Sequence, residues 1–339
     1  MVSGPAETGS VDAVLDRLPV LAGRPRSVAA LPGGLTNRNY RVRTAGGSIP
    51  TVAGGIEPQP GAPRPPVDAV VRPSTSAVDA VVRIDLGQSA QLGIDRGNEH
   101  ANTVAAHQAG VGPPVLGYLP GEGVLVVGWI EGRTLSEDDL RGGEPLGRVA
   151  DACRRLHTGP RFRDDFDMFV LQRRYRESVR AHGYRLPPGY DDYAGHLHRA
   201  RSAMAERDEG TVPCHNDLLA ANLIDDGDRV WIIDYEYSGN NDACFELGNV
   251  AFEAGLTAAQ LADLVTAYYG RQRANRIARA ELWGLVAQYG WALWASIQDG
   301  VGLMDFDFWS WGMAKYERAV AGFTAPGFDD LLDAVRAPD

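Results

Sequence analysis

The chain is nearly devoid of lysine: Lys315 is the single lysine among 33 Lys and Arg residues. A phosphate-binding P-loop requires Gly-Lys-Ser/Thr, so this sequence cannot contain one. Cysteine is also scarce, since only Cys153, Cys214 and Cys244 occur and no Cys-x-x-Cys pair is found. An odd number of widely spaced cysteines argues against a disulfide framework or a cysteine-based zinc site, and it favours a reducing compartment.

The sequence also lacks segments that would direct it to a membrane. Residues 1–10 have no basic stretch followed by an apolar one, so we expect no signal peptide. The longest apolar run, near residues 124–130, is too short to span a bilayer. The formal net charge of −11 weakens any interpretation in which a basic surface binds nucleic acid or an anionic membrane. We therefore expect a cytoplasmic protein with no nucleic-acid or membrane partner, whose charge mildly favours a small cationic substrate.

The 339 residues, 44% hydrophobic and 23% charged, have ordinary globular composition and suffice for one or two domains. The predicted strands are residues 28–32, 38–44, 77–85, 115–118 and 124–129, with a helix at 94–110 among them. The later helices are predicted at 146–157, 166–182, 190–207, 245–255, 257–269, 278–299 and 308–323, with a strand pair at 222–224 and 230–233. This order predicts a two-lobed α+β protein. A small β-rich N-terminal lobe would span residues 1–130, and a larger, mostly helical C-terminal lobe would span residues 131–339.

Residues 46–76, rich in Gly, Pro and Ser, are expected to form a long flexible insertion within the N-terminal lobe. Val-Asp-Ala-Val-Val-Arg occurs there at 67–72 and again at 78–83. Chance in a chain rich in these residue types would explain the repeat, and so would a local duplication. We interpret the second copy as the structural strand, because it continues directly into Ile84.

The strongest chemical signal lies in the segment 214–238. Asp217 stands two residues after His215, and Asn222 follows Asp217 by five residues. Asp234 ends an apolar run twelve residues further on. The catalytic loop of protein kinases has the same Asp-to-Asn spacing, and its metal aspartate also follows a short hairpin. Phosphoryl transfer needs one carboxylate aimed at the attacking hydroxyl and oxygen ligands for Mg²⁺. The combined pattern therefore predicts kinase chemistry, with His215 as a packed structural residue.

These motifs resemble those of the choline/ethanolamine kinase branch of the aminoglycoside-phosphotransferase-like superfamily. The resemblance extends from about Leu31 to Phe323, apart from the insertion. It is carried by Cys-His-Asn-Asp at 214–217, Ile-Asp-Tyr-Glu-Tyr-Ser at 233–238 and Phe-Glu-Leu-Gly-Asn at 245–249. It implies a two-lobed protein-kinase-like fold with ATP and Mg²⁺ as cofactors.

The resemblance also implies roles for individual residues. Asp217 would be the catalytic base, and Asn222 and Asp234 would be the metal ligands. The nucleotide would be bound by three elements. These are a glycine loop with Gly33, Gly34, Thr36 and Asn37, the basic residue Arg83 with its acidic partner Glu99, and a hinge strand with Val127. Adjacent glycines let backbone N–H groups approach phosphates closely, although such a pair is commonly just a hairpin turn. Arg83 and Glu99 would form an ion pair, the alternative being that both are solvated.

Aromatic residues concentrate near the C-terminus, where five of the seven tryptophans follow residue 280. By the resemblance, four aromatic residues enclose a quaternary ammonium, and three polar residues lie beside the substrate: Trp291, Trp294, Phe306, Trp311, Glu236, Tyr237 and Glu253. Aromatic faces attract a cation by roughly 0.5–2 kcal/mol per ring. Core packing is the alternative explanation for aromatic residues at helical spacing.

We therefore expect an enzyme that transfers the γ-phosphate of ATP to the hydroxyl of choline or a related amino alcohol. Ethanolamine, an aminoglycoside or an amino sugar are alternative acceptors, and a catalytically silent, ligand-binding pseudokinase is the alternative from another class. The oligomeric state and any protein partner carry no sequence signal.

Overall fold

A computed structural model describes residues 11–45 and 77–338. The chain divides into two compact units. The first consists of Met1–Leu86 with Pro114–Trp129, and the second of Gly87–Pro113 with Ile130–Asp339. The insertion at 46–76, with the first copy of the repeated hexapeptide, lies outside the described residues. The lobe boundaries proposed from the sequence stay a prediction.

The first unit is built on a five-stranded antiparallel sheet in the order β1-β2-β3-β5-β4. Its strands are β1 (Arg26–Leu31), β2 (Asn37–Thr44), β3 (Val78–Asp85), β4 (Val115–Leu119) and β5 (Val124–Gly128). β-branched residues at alternate positions put one face of the sheet into a core that includes Val42, Val82 and Val126. The second copy of the repeated hexapeptide forms most of β3, as expected from the sequence.

The second unit is mainly helical. Its helices are α1 (Ser89–Leu92), α2 (Arg96–Gln108), α3 (Glu137–Arg141), α4 (Leu146–His157), α5 (Met168–His182), α6 (Ala194–Ala205), α7 (Ala243–Ala254), α8 (Ala258–Tyr269), α9 (Ala274–Val301), α10 (Phe308–Phe323) and α11 (Phe328–Arg336). Its short strands are β6 (Arg133–Thr134), β7 (Val212–Cys214), β8 (Leu223–Asp225), β9 (Val230–Ile232) and β10 (Gly239–Asn241). They form a three-stranded sheet, β6-β8-β9, and a β7-β10 pair.

Helix α9 is the centre of this unit and packs against α5, α7 and α10. Most of its side chains are buried, in keeping with a helix surrounded by protein. A Cβ on Gly248 of α7 would lie 2.0 Å from the carbonyl oxygen of Ala280, so glycine is what permits the close approach of α7 and α9. This packing fixes α7 and α10, which carry the residues of the candidate site. No helix within the described ranges, α9 included, combines the length and apolar character needed to cross a bilayer.

Helix α2 belongs to the second unit rather than to the sheet unit. The side-chain amides of Asn98 and Asn102 both donate to the carbonyl oxygen of Ser238, at 3.0 and 3.1 Å. The backbone N–H of Ile232 donates to the carbonyl of Val111 at 2.8 Å. These buried bonds fasten α2 and the segment that follows it to the loops around Asp234.

Candidate active site

The predicted catalytic loop follows strand β7 and contains an unusual backbone. Asn216 and Asp234, with φ of 68° and 71°, are the non-glycine residues of the described chain with positive φ. This conformation is disfavoured for residues with a Cβ, and it persists where surrounding structure enforces it, commonly at functional sites. One of the two directly precedes Asp217, and the other is the predicted metal ligand itself.

A buried carboxylate, Glu246 on α7, holds the first of these conformations. Its two oxygens accept the backbone N–H groups of His215 and Asn216, each at 2.8 Å. Charge-assisted bonds of this kind are stronger than neutral ones. The Asn216 side chain donates to the carbonyl of Tyr237 at 3.0 Å and accepts from Asn241 at 2.9 Å. The loop before Asp217 is thus anchored from α7, from β10 and from the segment after Asp234.

His215 links the catalytic loop to the strand end that carries Asp234. It is fully buried, its Nε2 lies 2.8 Å from the carbonyl of Ile233, and its Nδ1 accepts the backbone N–H of Asp217 at 3.2 Å. These partners assign the neutral tautomer with the proton on Nε2. Burial lowers the pKa of His215, in agreement with the neutral form. The prediction of a packed structural histidine is confirmed.

The two predicted metal ligands lie at the ends of the β8–β9 hairpin. Asn222 closes a 3₁₀ turn just before β8, and its side-chain NH₂ donates to the carbonyl of Asp217 at 2.9 Å. The backbone N–H of Ile233, beside Asp234, donates to the carbonyl of Asn222 at 3.0 Å. The hairpin therefore brings both residues to the same end, next to Asp217. One amide oxygen and several carboxylates form a hard oxygen donor set, which fits Mg²⁺.

Asp217 lies among acidic groups. Burial, followed by the charges of Glu253, Glu236 and Asp234, raises its pKa well above the usual range. Lys315 acts in the opposite direction. Asp217 therefore lies in an environment made acidic by Glu253, Glu236 and Asp234. A cation bound there would relieve the repulsion.

The predicted aromatic residues lie in one contact chain, but they differ in exposure. Trp291 and Trp294 are 4% and 6% exposed, whereas Phe306 is 47% exposed. The indole N–H of Trp294 donates to the hydroxyl of Tyr237 at 2.7 Å, and the Trp311 ring centroid lies 5.8 Å from that of Trp294. The first two indoles are thus packed and hydrogen-bonded inside the protein, whereas Phe306 faces solvent.

Lys315 of α10 also lies in this subsite, a role that sequence reasoning missed. Its ammonium pairs with both carboxylate oxygens of Glu253 and lies 4.0 Å from the ring centroid of Trp311. The side chain of Lys315 is 4% exposed and that of Glu253 is 7% exposed. Burial lowers the pKa of Lys315, and the contact with Glu253 opposes that shift. The signal available in the sequence was that this is the only lysine, one helical turn after Trp311.

Glu99 and Glu236 share a cation within the second unit. Arg96 of α2 pairs with Glu99 at 2.7 Å and with Glu236 at 3.1 Å. Both carboxylates are buried, so this arginine neutralises acidic charge beside the catalytic loop. The proposed pairing of Glu99 with Arg83 stays a prediction.

The predicted glycine loop lies in the first unit between β1 and β2. Gly33 and Gly34 both have φ of 88°. A Cβ on Gly34 would lie 2.7 Å from the side-chain nitrogen of Asn39 and 2.8 Å from the carbonyl of Asn37, so glycine is required there. Thr36 and Asn37 are buried, and the amide of Asn37 donates to the hydroxyl of Thr36 at 3.0 Å. The loop has the backbone freedom that phosphate binding needs.

Two further nucleotide candidates lie within the sheet. Arg83 is a nearly buried residue of β3, between Asn39 of β2 and Leu125 of β5. Val127 lies inside β5, which pairs with strands on both sides. Their roles in binding stay predictions.

Comparison with known proteins places these features in one family. Residues 28–261 match the family model described as choline/ethanolamine kinase. This chain belongs to the choline/ethanolamine kinase family. Mouse ethanolamine kinase 2 is 25% identical over 267 residues, which cover 71% of this chain and 69% of the mouse protein. The crystal structure of a choline/ethanolamine kinase family protein from Mesorhizobium loti superposes with a TM-score of 0.77 at 30% identity, covering 97% of this chain and 99% of that one.

The choline/ethanolamine kinase family has a protein-kinase-like fold, and this chain has that fold. The choline kinase LicA from Streptococcus pneumoniae shares it, with a TM-score of 0.69 at 20% identity over 94% of this chain and 98% of its own. LicA has also been solved in complex with AMP. Membership makes the chain a phosphotransferase with an alcohol group as acceptor. The family and the fold class predicted from the sequence are confirmed.

A second cluster of potential metal ligands lies next to the predicted catalytic loop. His157, Cys214 and Glu246 are buried, and their ligand atoms lie within 4.8 Å of one another. Glu246 already accepts two backbone N–H groups, and His157 Nδ1 lies 2.7 Å from the hydroxyl of Tyr268. Burial raises the pKa of the Cys214 thiol, which disfavours the thiolate that binds metals. The cluster is therefore a hydrogen-bonded support of the loop.

Proposed function

We propose that this protein transfers the γ-phosphate of ATP to the hydroxyl of a small amino alcohol of the choline/ethanolamine class. The observation that carries the proposal is the placement of Asp217. It directly follows Asn216, whose positive φ is held by a hydrogen bond to Glu246. Its carbonyl oxygen accepts a hydrogen bond from the side chain of Asn222. The negative charges of Asp234, Glu236 and Glu253 raise its pKa.

Asp217 is the group that would position the acceptor hydroxyl and take its proton. A carboxylate whose pKa is raised is a better base near neutral pH than an ordinary aspartate. The backbone N–H of Asp217 donates to His215, and its carbonyl accepts from Asn222, so the residue is fixed from both sides. Such fixing lowers the entropy cost of aligning the hydroxyl for in-line attack.

Asn222 and Asp234 are the residues that would hold Mg²⁺, through the amide oxygen and the carboxylate. The ion would supply neutralisation of the phosphate charge during transfer. In the first unit, the loop with Gly33 and Gly34 would offer backbone N–H groups to phosphates, with Arg83 as a further cation. The LicA complex with AMP supports an adenine nucleotide as the donor.

The acceptor would carry an amine, because the neighbourhood of Asp217 is acidic. Asp217 is influenced by the negative charges of Glu253, Glu236 and Asp234, and such an environment can attract a small cation. A reaction that consumes ATP, together with three cysteines that are all free, supports a cytoplasmic location.

The direct test is consumption of ATP, with Mg²⁺ present, over a panel of acceptors that includes choline, ethanolamine, an aminoglycoside and an amino sugar. We expect ADP release that depends on choline or ethanolamine. ADP release with the aminoglycoside alone would show that the acceptor belongs to the alternative class. The absence of turnover with every acceptor, in protein that binds ATP, would favour the pseudokinase.

A further inference from the structure

The predicted cation subsite already holds a cation from the protein itself. Lys315 covers a ring face of Trp311 at 4.0 Å and occupies both carboxylate oxygens of Glu253. These are two of the features that a trimethylammonium group would need. A quaternary ammonium has no N–H to donate, so its binding depends on aromatic faces and nearby negative charge.

The remaining aromatic residues offer little replacement. Trp291 and Trp294 are buried, and their indole N–H groups donate to Asn249 and Tyr237 at 3.2 and 2.7 Å. Trp294 also contacts Trp311 and Phe308 of α10, at 5.8 and 5.7 Å between ring centroids. Phe306 is exposed, on the turn between α9 and α10. In the described part of the chain, Trp291, Trp294, Phe306 and Trp311 therefore do not enclose an open cage with several free ring faces.

We propose that Lys315 is a tethered cation that determines acceptor specificity, by filling the aromatic-acidic subsite and disfavouring trimethylammonium acceptors relative to primary-amine alcohols. The inference rests on the proposed function. A primary ammonium has N–H groups that can donate hydrogen bonds to other oxygen acceptors, so it loses less than a quaternary ammonium when Trp311 and Glu253 are occupied. Choline loses both its ring face and its counter-ion.

The position of Lys315 makes this role specific. The side chain leaves α10 one turn after Trp311 and reaches Glu253 near the C-terminal end of α7, where Gln288 of α9 also donates to Glu253 at 2.6 Å. The carboxylate of Glu253 on α7 is therefore held by Gln288 of α9 and by Lys315 of α10. Arg318, on the exposed side of the same helix, donates instead to the carbonyl of Phe252.

The test compares kcat/KM for choline and for ethanolamine in the wild type and in two variants. Lys315→Met removes the ammonium from the subsite and keeps an unbranched side chain, whereas Arg318→Gln removes a positive charge from the surface of α10. We expect the ratio of choline to ethanolamine kcat/KM to rise at least tenfold in Lys315→Met and to stay within twofold of the wild type in Arg318→Gln. An unchanged ratio in folded Lys315→Met, or an equal loss of both activities, would overturn the proposal.

Lys315→Met leaves a buried carboxylate without its partner, which can prevent folding. The double variant Lys315→Met with Glu253→Gln removes that charge and still removes the ammonium from the face of Trp311. We expect its ratio to rise as well, by less than in the single variant, and a ratio equal to the wild type would contradict the role of Lys315.

If the wild type phosphorylates neither alcohol, the proposed function fails. Titration of choline and ethanolamine by tryptophan fluorescence then tests the lysine alone, with tighter choline binding in the variant as the supporting result and equal binding as the opposing one.

Discussion

Replacement of Glu246 by glutamine tests how the catalytic loop is held. Its two oxygens accept the N–H groups of His215 and Asn216 at 2.8 Å inside the core. Glutamine keeps one accepting oxygen and turns an NH₂ group towards the other N–H. A hydrogen bond to a charged group contributes about 1.5–3 kcal/mol, and a buried unsatisfied donor costs about 1–3 kcal/mol. Removal of a buried charge offsets part of this loss, so we expect the free energy of unfolding to fall by about 2–3 kcal/mol.

For a chain of 339 residues, such a loss lowers Tm by roughly 3–4 °C. Turnover should fall by roughly 10–100-fold, because small displacements of catalytic groups cost up to about 10²-fold, and Glu246 enforces the positive φ of Asn216 next to Asp217. Thermal unfolding followed by circular dichroism measures the first effect, and initial rates of ADP release measure the second.

Glu281→Gln is the matched control, since it makes the same chemical change on α9 in a carboxyl whose pKa is raised by burial alone. Its Tm should equal or slightly exceed that of the wild type, because a raised carboxyl pKa means that the ionised form is disfavoured in the fold. A Glu246→Gln protein with wild-type Tm and turnover would refute the reasoning about the loop.

Two further predictions use the pKa shifts. Burial and neighbouring carboxylates raise the pKa of Asp217. The folded state therefore binds the proton of Asp217 more tightly than the unfolded chain does. The wild type consequently loses stability as the pH rises from the pKa of an ordinary aspartate to the raised pKa of Asp217. Asp217→Asn should therefore have a higher Tm than the wild type at neutral pH in EDTA, with a difference that shrinks towards pH 4; equal Tm values across this range would contradict the shift. The thiols of Cys153, Cys214 and Cys244 are fully buried and have raised pKa values, about 12 for Cys244, so DTNB at pH 8 should label none of them in the native protein and all of them after denaturation. Fast labelling of any thiol before denaturation would show that the core opens.

The regular elements were well predicted where local patterns decide the structure. The helices predicted at 146–157 and 308–323 have the observed bounds, because apolar periodicity and breakers mark both ends. The helix predicted at 190–207 instead begins as a 3₁₀ turn, Tyr190–Tyr193, before α6. Strands such as β7 and β10 were missed, since three-residue strands are defined by a distant partner.

Helix α11 was missed for a different reason. Its signal was present, since Phe328, Leu332 and Val335 recur at helical spacing and are buried, but a nine-residue helix after Gly327 is near the shortest that a pattern can identify. A short terminal helix gains its stability from packing, which in this case involves α9 and α6.

In the candidate site too, local sequence patterns indicate some of the residues, whereas others depend on distant contacts. The residue spacing predicted that Asp217, Asn222 and Asp234 lie together, because one loop and one hairpin carry them, and their roles stay predictions. Lys315 and Glu246 could not be placed, because their roles depend on partners on other helices or in the catalytic loop, 62 residues away for Lys315 and 30 to 31 for Glu246. The sequence shows that a residue is unusual, and only the packing shows what it contacts.

Phosphorus NMR of a reaction that contains ATP, Mg²⁺ and either ethanolamine or choline tests the central claim most directly, because it identifies the bond that forms. The account predicts the phosphomonoester of the alcohol together with ADP. The rate should fall by roughly 10²–10⁴-fold in Asp217→Asn, the usual contribution of general base catalysis. Formation of inorganic phosphate alone, or of the phosphomonoester at the wild-type rate in Asp217→Asn, would contradict it.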